Sequence, residues 1–382
     1  MDKTLKNPLT IALAVVAAIG VGVWIYQLAN GLGITGMDNM TSWGLYLACF
    51  MFFGGVASGA LAIAASIEVF NLDAWKPIQI PAAVCAIVCI CCAGICVLLD
   101  IGGIQRVWRM IVGLNIESPL AWDMLVITAS IVVDALFLHA LCFKKDDAHR
   151  AGIIARIALP LAVLCVAVEA WVFGMQVAKE AWGAMLAPVF VASALDSGLA
   201  LVILACLALK VKGLEAGQDL LGKLARLLSV FVAVDFFLIF CEIATAAYTG
   251  ESLAGLVLTG SLAPLFWVEV ICGLVLPFCM LAAAGNGKNP VMVAAASALV
   301  LVGVLCKRCW VLLSGFAFAN VSGGSGVTLG TVAAQTGGVA QVWTQTGSYL
   351  PTIPEAVIAV AVFALAALGF IVVYRLLAQK AS

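Results

Sequence analysis

Charged side chains are scarce: Asp, Glu, Lys and Arg together make up 10% of the 382 residues, where a water-soluble domain carries about 25%. With 65% hydrophobic residues, the chain has more apolar surface than a water-facing core can bury, which excludes a soluble globular protein. The apolar runs do not alternate with polar residues, which excludes a membrane β-barrel. A formal net charge of −1 excludes nucleic acid as a partner, since no basic excess exists to meet phosphates. Histidine is nearly missing, with only His139 and His149. A transmembrane haem needs two imidazoles at membrane depth, and His149 falls in a charged loop, so no haem of that kind is expected.

What the chain does have is long apolar runs. Ten can be read, at roughly 9–30, 43–68, 78–99, 120–142, 152–176, 183–209, 226–248, 262–284, 290–314 and 355–378, each near the length of about 20 residues that crosses a bilayer as a helix. The expected fold is all-α and polytopic, with ten transmembrane helices. The first run follows Lys3 and Lys6 but has no short apolar stretch ending in a small-residue cleavage site, so it reads as a retained helix. Cytoplasmic loops collect Lys and Arg. An N-terminus in the cytoplasm leaves only Arg106, Arg109, Lys179, Lys307 and Arg308, out of 19 basic residues, on the outer side. The chain is thus expected in the cytoplasmic (inner) membrane, multi-pass, with both termini inside.

A repeat runs through the spans. Trp43-Gly44 is followed 15 residues after the tryptophan by Ser58-Gly59, and Trp182-Gly183 is followed at the same interval by Ser197-Gly198. Pro119-Leu120-Ala121-Trp122 parallels Pro264-Leu265-Phe266-Trp267, and Glu169-Ala170-Trp171 parallels Arg308-Cys309-Trp310. The matches predict two parallel-repeat four-helix bundles with a flanking helix on each side. The expected divisions are 1–42 (flanking helix and outer loop), 43–180 (first bundle), 181–314 (second bundle) and 315–382 (a Gly/Ser/Thr-rich outer loop and the last helix). That loop, with Ser322-Gly323-Gly324-Ser325-Gly326 and no charge before Glu355, is expected to pack against a partner. Small residues at Gly54-Gly55, Gly59-Ala60 and Ser197-Gly198 are expected to let helix backbones approach, since lipid provides no hydrophobic drive between helices.

All 14 cysteines lie in or at the edge of apolar runs. Cys85, Cys89, Cys92 and Cys96 form one helical stripe about 16 Å long, too extended for thiolates to converge on one cluster, and packing explains it. Cys306-Lys307-Arg308-Cys309 has CxxC spacing but falls inside a helix. No metal site and no iron–sulfur cluster is expected in this chain, so redox metal has to come from a partner.

Ionisable groups at membrane depth cost about 2.5–3.5 kcal/mol each on insertion scales and are functional candidates by default. The outer half collects Asp100, Asp123, Glu169, Glu242, Glu269, Lys307 and Arg308, with Arg106 and Arg109 in the adjoining connection. Deeper lie Asp134, Asp196 and Asp235, with His139 toward the inside. One reading is mutual ion pairing without further role. The other is a hydrophilic pocket open to the outer face, suited to a quinone head group: cations donate to its oxygens and carboxylates take up the protons a quinol releases. The deeper acids then form a proton path, with Asp235 and Glu242, seven residues apart, on one helix face.

The run Leu98-Leu99-Asp100-Ile101-Gly102-Gly103-Ile104-Gln105-Arg106-Val107-Trp108-Arg109, followed by Glu117-Ser118-Pro119-Leu120-Ala121-Trp122, resembles the "LDLGxPxRFW…SPMxWG" signature of NrfD/PsrC-type membrane subunits, the polysulfide reductase NrfD family. Trp43-Gly44-Leu45-Tyr46, Pro264 to Glu269 with Gly273 to Pro277, and Tyr349-Leu350-Pro351-Thr352-Ile353-Pro354-Glu355 are similar to further family segments. The resemblance covers nearly the whole chain. It implies a cofactor-free, quinone-reactive anchor of an anaerobic respiratory complex, exchanging electrons between menaquinone-type quinones and a ferredoxin-like iron–sulfur subunit on the outer face. The iron–sulfur protein in turn links to a molybdopterin catalytic subunit or a multihaem cytochrome c. By motif, Asp100, Arg106 and Arg109 are the first quinone-site candidates, with Asp123 and Glu269 next. The chain departs from the family at Gly103-Ile104-Gln105-Arg106, which lacks the usual proline, and has no outer-half histidine, so a carboxylate has to accept the proton. A secondary transporter and a purely mechanical anchor are the rival readings.

Overall fold

The computed structural model describes residues 7–143, 148–176, 179, 181–211, 214, 219–283, 286–318 and 347–381. The Gly/Ser/Thr-rich stretch expected to meet a partner lies almost wholly outside the described residues, as do Lys3 and Lys6. Among the described residues, ten helices are long and apolar enough to cross a membrane. They are α1 (Pro8–Asn30), α2 (Leu45–Val69), α3 (Lys76–Ile101), α4 (Pro119–Phe143), α5 (Ala148–Gly174), α6 (Leu186–Ala208), α7 (Asp219–Thr249), α8 (Ala263–Ala282), α9 (Pro290–Ser314) and α10 (Ile353–Ala381). The protein is a multi-pass membrane protein of the all-α class. Helices are dictated by the solvent: lipid offers backbone amides no partner, so each span must satisfy its own.

Local chemistry sets the helix ends. Asn7 accepts a hydrogen bond from the Leu9 amide at 3.2 Å with Pro8 behind it, and Asn289 accepts from Val291 at 3.0 Å with Pro290 behind it, pairing a side-chain cap with a proline at the first helical position. Gly102, at φ +66°, stops α3, a left-handed turn that costs glycine little. The helix α7 begins seven residues before the apolar run read from sequence at 226–248. Its first two turns carry Asp219, Lys223 and Arg226, which ended the hydropathy signal without ending the helix.

In its most apolar stretch α2 is 94% buried, whereas α1 is 17% buried, so α2 is the central post and α1 lies on the outside against α10. The helix α2 packs on α3 and α5, and α4 closes the set by packing on α3 and α5. Likewise α6 packs on α7 and α9, and α8 on α7 and α9. The two sets meet chiefly through α2 and α6. Their crossing is set by two glycines: a Cβ on Gly59 would lie 1.8 Å from the Ala194 carbonyl oxygen, and one on Gly198 2.5 Å from the Ala60 amide. Above that crossing Trp43 and Trp182 stack with ring centres 6.2 Å apart, and the Trp182 indole donates to the Val311 carbonyl at 2.7 Å. An apolar cavity of about 750 Å³ lies between α2, α3, α6, α9 and α10. One element departs from regular winding: α8 is α-helical over Ala263–Trp267, π-helical over Val268–Val275, and α-helical again over Leu276–Ala282. Pro277 follows directly, and π-turns of this kind recur at functional sites.

Candidate functional site

The most charged part of the interior belongs to α9. Lys307 and Arg308 are neighbours in sequence and both fully buried, so helical geometry points them about 100° apart. Lys307 faces α7 and α8: its Nζ lies 2.5 Å from Asp235 Oδ2 and 3.1 Å from Glu269 Oε1. The other Glu269 oxygen accepts from the Trp310 indole. Glu269 sits on the π-turn of α8, so the irregular winding carries a member of the triad. Arg308 faces α2, α5 and α6. Its Nη2 donates to Ser193 Oγ at 3.0 Å and its Cζ lies 3.7 Å from the centre of the Phe190 ring, a cation–π contact. Glu169 of α5 is its strongest electrostatic partner, without a direct ion pair between them.

Around these two cations stand more acceptors than donors. Glu169, Asp196, Asp235, Glu242 and Glu269 are all buried, and Asp196 is an electrostatic neighbour of Asp235 and Lys307. Asp235 Oδ1, Glu242 Oε2 and Glu169 Oε1 accept no well-formed hydrogen bond, and neither do the Asp196 oxygens, although Asp196 stands within reach of Asp235 and of the Ser197 amide. Arg308 Nε and Nη1 are likewise unpartnered. Buried polar atoms are normally satisfied, so each of these acceptors is open to a proton or a water molecule. The arrangement is a cluster of buried carboxylates, anchored at one point by Lys307.

The glycine pair Gly54-Gly55 serves this set and not backbone approach, which corrects the reading from sequence. A Cβ on Gly54 would lie 3.0 Å from Glu169 Oε2, and one on Gly55 2.9 Å from Arg308 Nη2. The two glycines make room in α2 for the charged side chains of α5 and α9. Of the small residues named from sequence, Gly59-Ala60 and Gly198 make the expected backbone contact.

The quinone-site residues named from sequence are not brought together as one group. Glu269 belongs to the Lys307 triad. Asp123, buried on α4, is an electrostatic neighbour of Glu169, with its Oδ1 unpartnered. Asp134 is buried near Cys91. His139 does not join it: it lies exposed against Phe143, ring centres 5.1 Å apart, because a five-residue step swings it well round the helix from Asp134. Arg106 and Arg109 are exposed in the connection after α3, with Arg109 over the Trp108 ring at 5.6 Å.

Asp100 ends α3 in a second polar group, built from α1, α2 and α10. Its Oδ1 is buried without a partner, and Tyr46 and Glu355 are its electrostatic neighbours. Tyr46 donates to Gln27 Oε1 at 2.6 Å, and Gln27 Nε2 donates to the Leu99 carbonyl at 3.1 Å. Glu355 accepts from Tyr349 and from the amides of Gly36 at 3.1 Å and Leu45 at 3.2 Å. Sequence reasoning did not place Gln27, Tyr46, Tyr349, Glu355 or Ser193 in a site. Gln27 carried a usable signal, being a polar side chain inside an otherwise apolar span. Among the described residues no group of three or more His, Cys, Asp or Glu could hold a metal ion, and all 14 cysteines are free thiols.

Comparison with known proteins places this arrangement. The chain is 28% identical to a putative membrane subunit of dimethyl sulfoxide reductase from Halobacterium salinarum, over 93% of this chain and 87% of the relative. It is 25% identical to a subunit of selenate reductase from Mesobacillus selenatarsenatis, over 81% and 82%. It is 24% identical to an Hdr-like menaquinol oxidoreductase integral membrane subunit of Archaeoglobus fulgidus, over 81% and 79%. The model of the family described as "Polysulphide reductase, NrfD" matches residues 33–320, which take in both polar groups except Gln27, Tyr349 and Glu355; the chain therefore belongs to the polysulphide reductase NrfD family.

Proposed function

We propose that this chain is the quinol-reactive membrane subunit of an anaerobic respiratory oxidoreductase. The observation that carries the reading is the Asp100 group: a buried carboxylate oxygen without a donor, beside a tyrosine and a glutamine already joined to each other. A quinol hydroxyl supplies the donor that Asp100 lacks. As the quinol loses two electrons and two protons, Asp100 takes one proton, the other leaves toward the outer face, and the Tyr46–Gln27 pair orients the ring. The electrons pass to the iron–sulfur clusters of a ferredoxin-like partner, which supplies the redox metal and links to a molybdopterin subunit or a multihaem cytochrome. Arg106 and Arg109, exposed in the connection after α3, contact that partner. A relative named as a menaquinol oxidoreductase subunit supports menaquinone as the substrate class.

The second polar set extends the reading. Glu242, Glu269, Asp235 and Asp196, with Glu169 and Asp123 on the flank, form a route for protons across the second bundle. Division into 43–180 and 181–314 is supported by the matching neighbour relations of α2–α5 and α6–α9. The Lys and Arg distribution supports a cytoplasmic position for both termini.

The test is quinol oxidation by the purified complex. Asp100→Asn and Tyr46→Phe are expected to lower kcat/KM for a menaquinol analogue at least tenfold, with electron transfer from an artificial dye donor through the partner unchanged. Unaltered quinol oxidation in both variants overturns the assignment and leaves the chain a mechanical anchor, a role the Lys307 triad alone would explain.

A further inference from the structure

At the end of the bundle opposite Asp100, a cavity of about 470 Å³ opens between the first turns of α7 and the turn joining α8 to α9. Lys223, Arg226 and Lys288 line it, with Ser229 and one carboxylate, Asp219. Among the described residues none of the three cations forms an ion pair. The turn Asn286–Lys288 lays the Lys288 stem over α7, whose Gly222 would carry a Cβ 3.7 Å from Lys288 Cγ. Three cations around one cavity, set against a single carboxylate among the described residues, form a site for a dianionic or monoanionic oxygen ligand.

The surface above the cavity says which kind. On α7 the positions 223, 226, 230, 234 and 237 share one helix face. The first two are cations, and the next three are Val230, Val234 and Phe237, at 50%, 46% and 60% exposure. On α8, Phe278 lies one turn above the cavity-lining Ala282 and is 41% exposed. Polar base and apolar wall thus follow each other in the direction in which both helices enter the bilayer. A soluble anion has no use for that wall; a lipid uses both parts.

We propose that this cavity binds an anionic glycerophospholipid, its phosphate held by Lys223, Arg226 and Lys288 and its acyl chains lying along Val230, Val234, Phe237 and Phe278. Basic pockets between transmembrane helices are the recurring form of such sites. The proposal is independent of the quinone reading.

Native mass spectrometry of the purified, delipidated complex, titrated with phosphatidylglycerol or with phosphatidylcholine of the same chains, tests it. The wild type is expected to retain phosphatidylglycerol in preference. Each cation near a phosphate is worth about fivefold in affinity, so Lys223→Gln/Arg226→Gln/Lys288→Gln is expected to weaken phosphatidylglycerol retention about a hundredfold. Arg156→Gln, at the same end of the bundle on α5, is expected to leave it unchanged. Lys288→Gln alone, in a turn outside the spans, gives the fivefold loss should the triple variant not assemble. Equal retention of the two lipids by the wild type, or displacement of phosphatidylglycerol by millimolar inorganic phosphate, overturns the proposal.

Discussion

Lys307 shows how much a single side chain settles. Among the described residues it is the one cation in contact with Asp235 and Glu269, so Lys307→Met strands two buried carboxylates. Breaking a buried pair by removing one partner costs about 3–5 kcal/mol, and the Tm of the complex is expected to fall sharply. Replacing all three members by apolar residues, Lys307→Met/Asp235→Leu/Glu269→Leu, is expected to recover part of that loss, because the two carboxylates that Lys307 contacts are removed with it. Proton-coupled turnover should not recover with it. Thermal unfolding and quinol oxidation, measured on both variants, separate the two effects. Tyr349, outside the spans, offers a pH test: burial, and then its hydrogen bond to Glu355, hold the phenol well above its ordinary pKa. A raised pKa gives stability that is full below the unfolded value of about 10 and is lost as pH rises beyond it. The decline in Tm above pH 10 is expected to be steeper in the wild type than in Tyr349→Phe. At this scale the sequence named most of the buried ionisable residues but not their partners. Lys307 and Arg308 are adjacent in the chain, yet one faces α7 and α8 and the other α2, α5 and α6, a division only the packing reveals. Arg106 and Arg109 were legible as residues near Asp100, while their exposure was not, because a loop has no period from which to read a face.

Among the elements, the ten spans and their order were legible because hydropathy over about 20 residues is the strongest signal a membrane chain carries. The ends were less so: the cations of α7 closed the apolar window at 226 while the helix continues back to Asp219. The crossing of α2 and α6 was legible from Gly59 and Gly198, whereas the adjacent Gly54 and Gly55 look the same in sequence and have a different task. This distinction is testable. Gly198→Leu places its side chain into the Gly59–Ala60 backbone, where no rotamer relieves the contact, and is expected to abolish assembly, scored as the yield of intact complex. Gly55→Ala meets only the tip of Arg308, at 2.9 Å, and is expected to assemble with reduced turnover.

Over the whole molecule, the chain places its two polar groups in different company: the Asp100 group against the flanking helices α1 and α10, the Lys307 group inside α6–α9 with α5 and α2 beside it. The repeat explains why this division was hard to foresee, since the sequence shows similar landmarks in both halves while the flanking helices pack chiefly on the first. The sidedness inferred from Lys and Arg is checked by introducing single cysteines at Arg109 and Lys288 in a background whose exposed Cys91 and Cys279 are replaced by serine. An impermeant thiol reagent applied to intact cells is expected to label the cysteine at 109 and spare the one at 288.

The wide turns of α8 hold one more residue than an ordinary helix needs over the same rise. Deleting a single position there, such as Val270, would let the segment relax into α-helical winding without shortening its reach across the bilayer, and because the wide turns already absorb the extra residue, the flanking turns would rotate by much less than the roughly 100° a deletion costs a regular helix. Within the relaxed segment the side chains, Glu269 among them, would take new bearings, while those of the flanking α-helical turns would largely keep theirs. Tolerance of a deletion in the middle of a membrane helix, at the expense of its acid's bearing, is an outcome few other spans of this protein would permit.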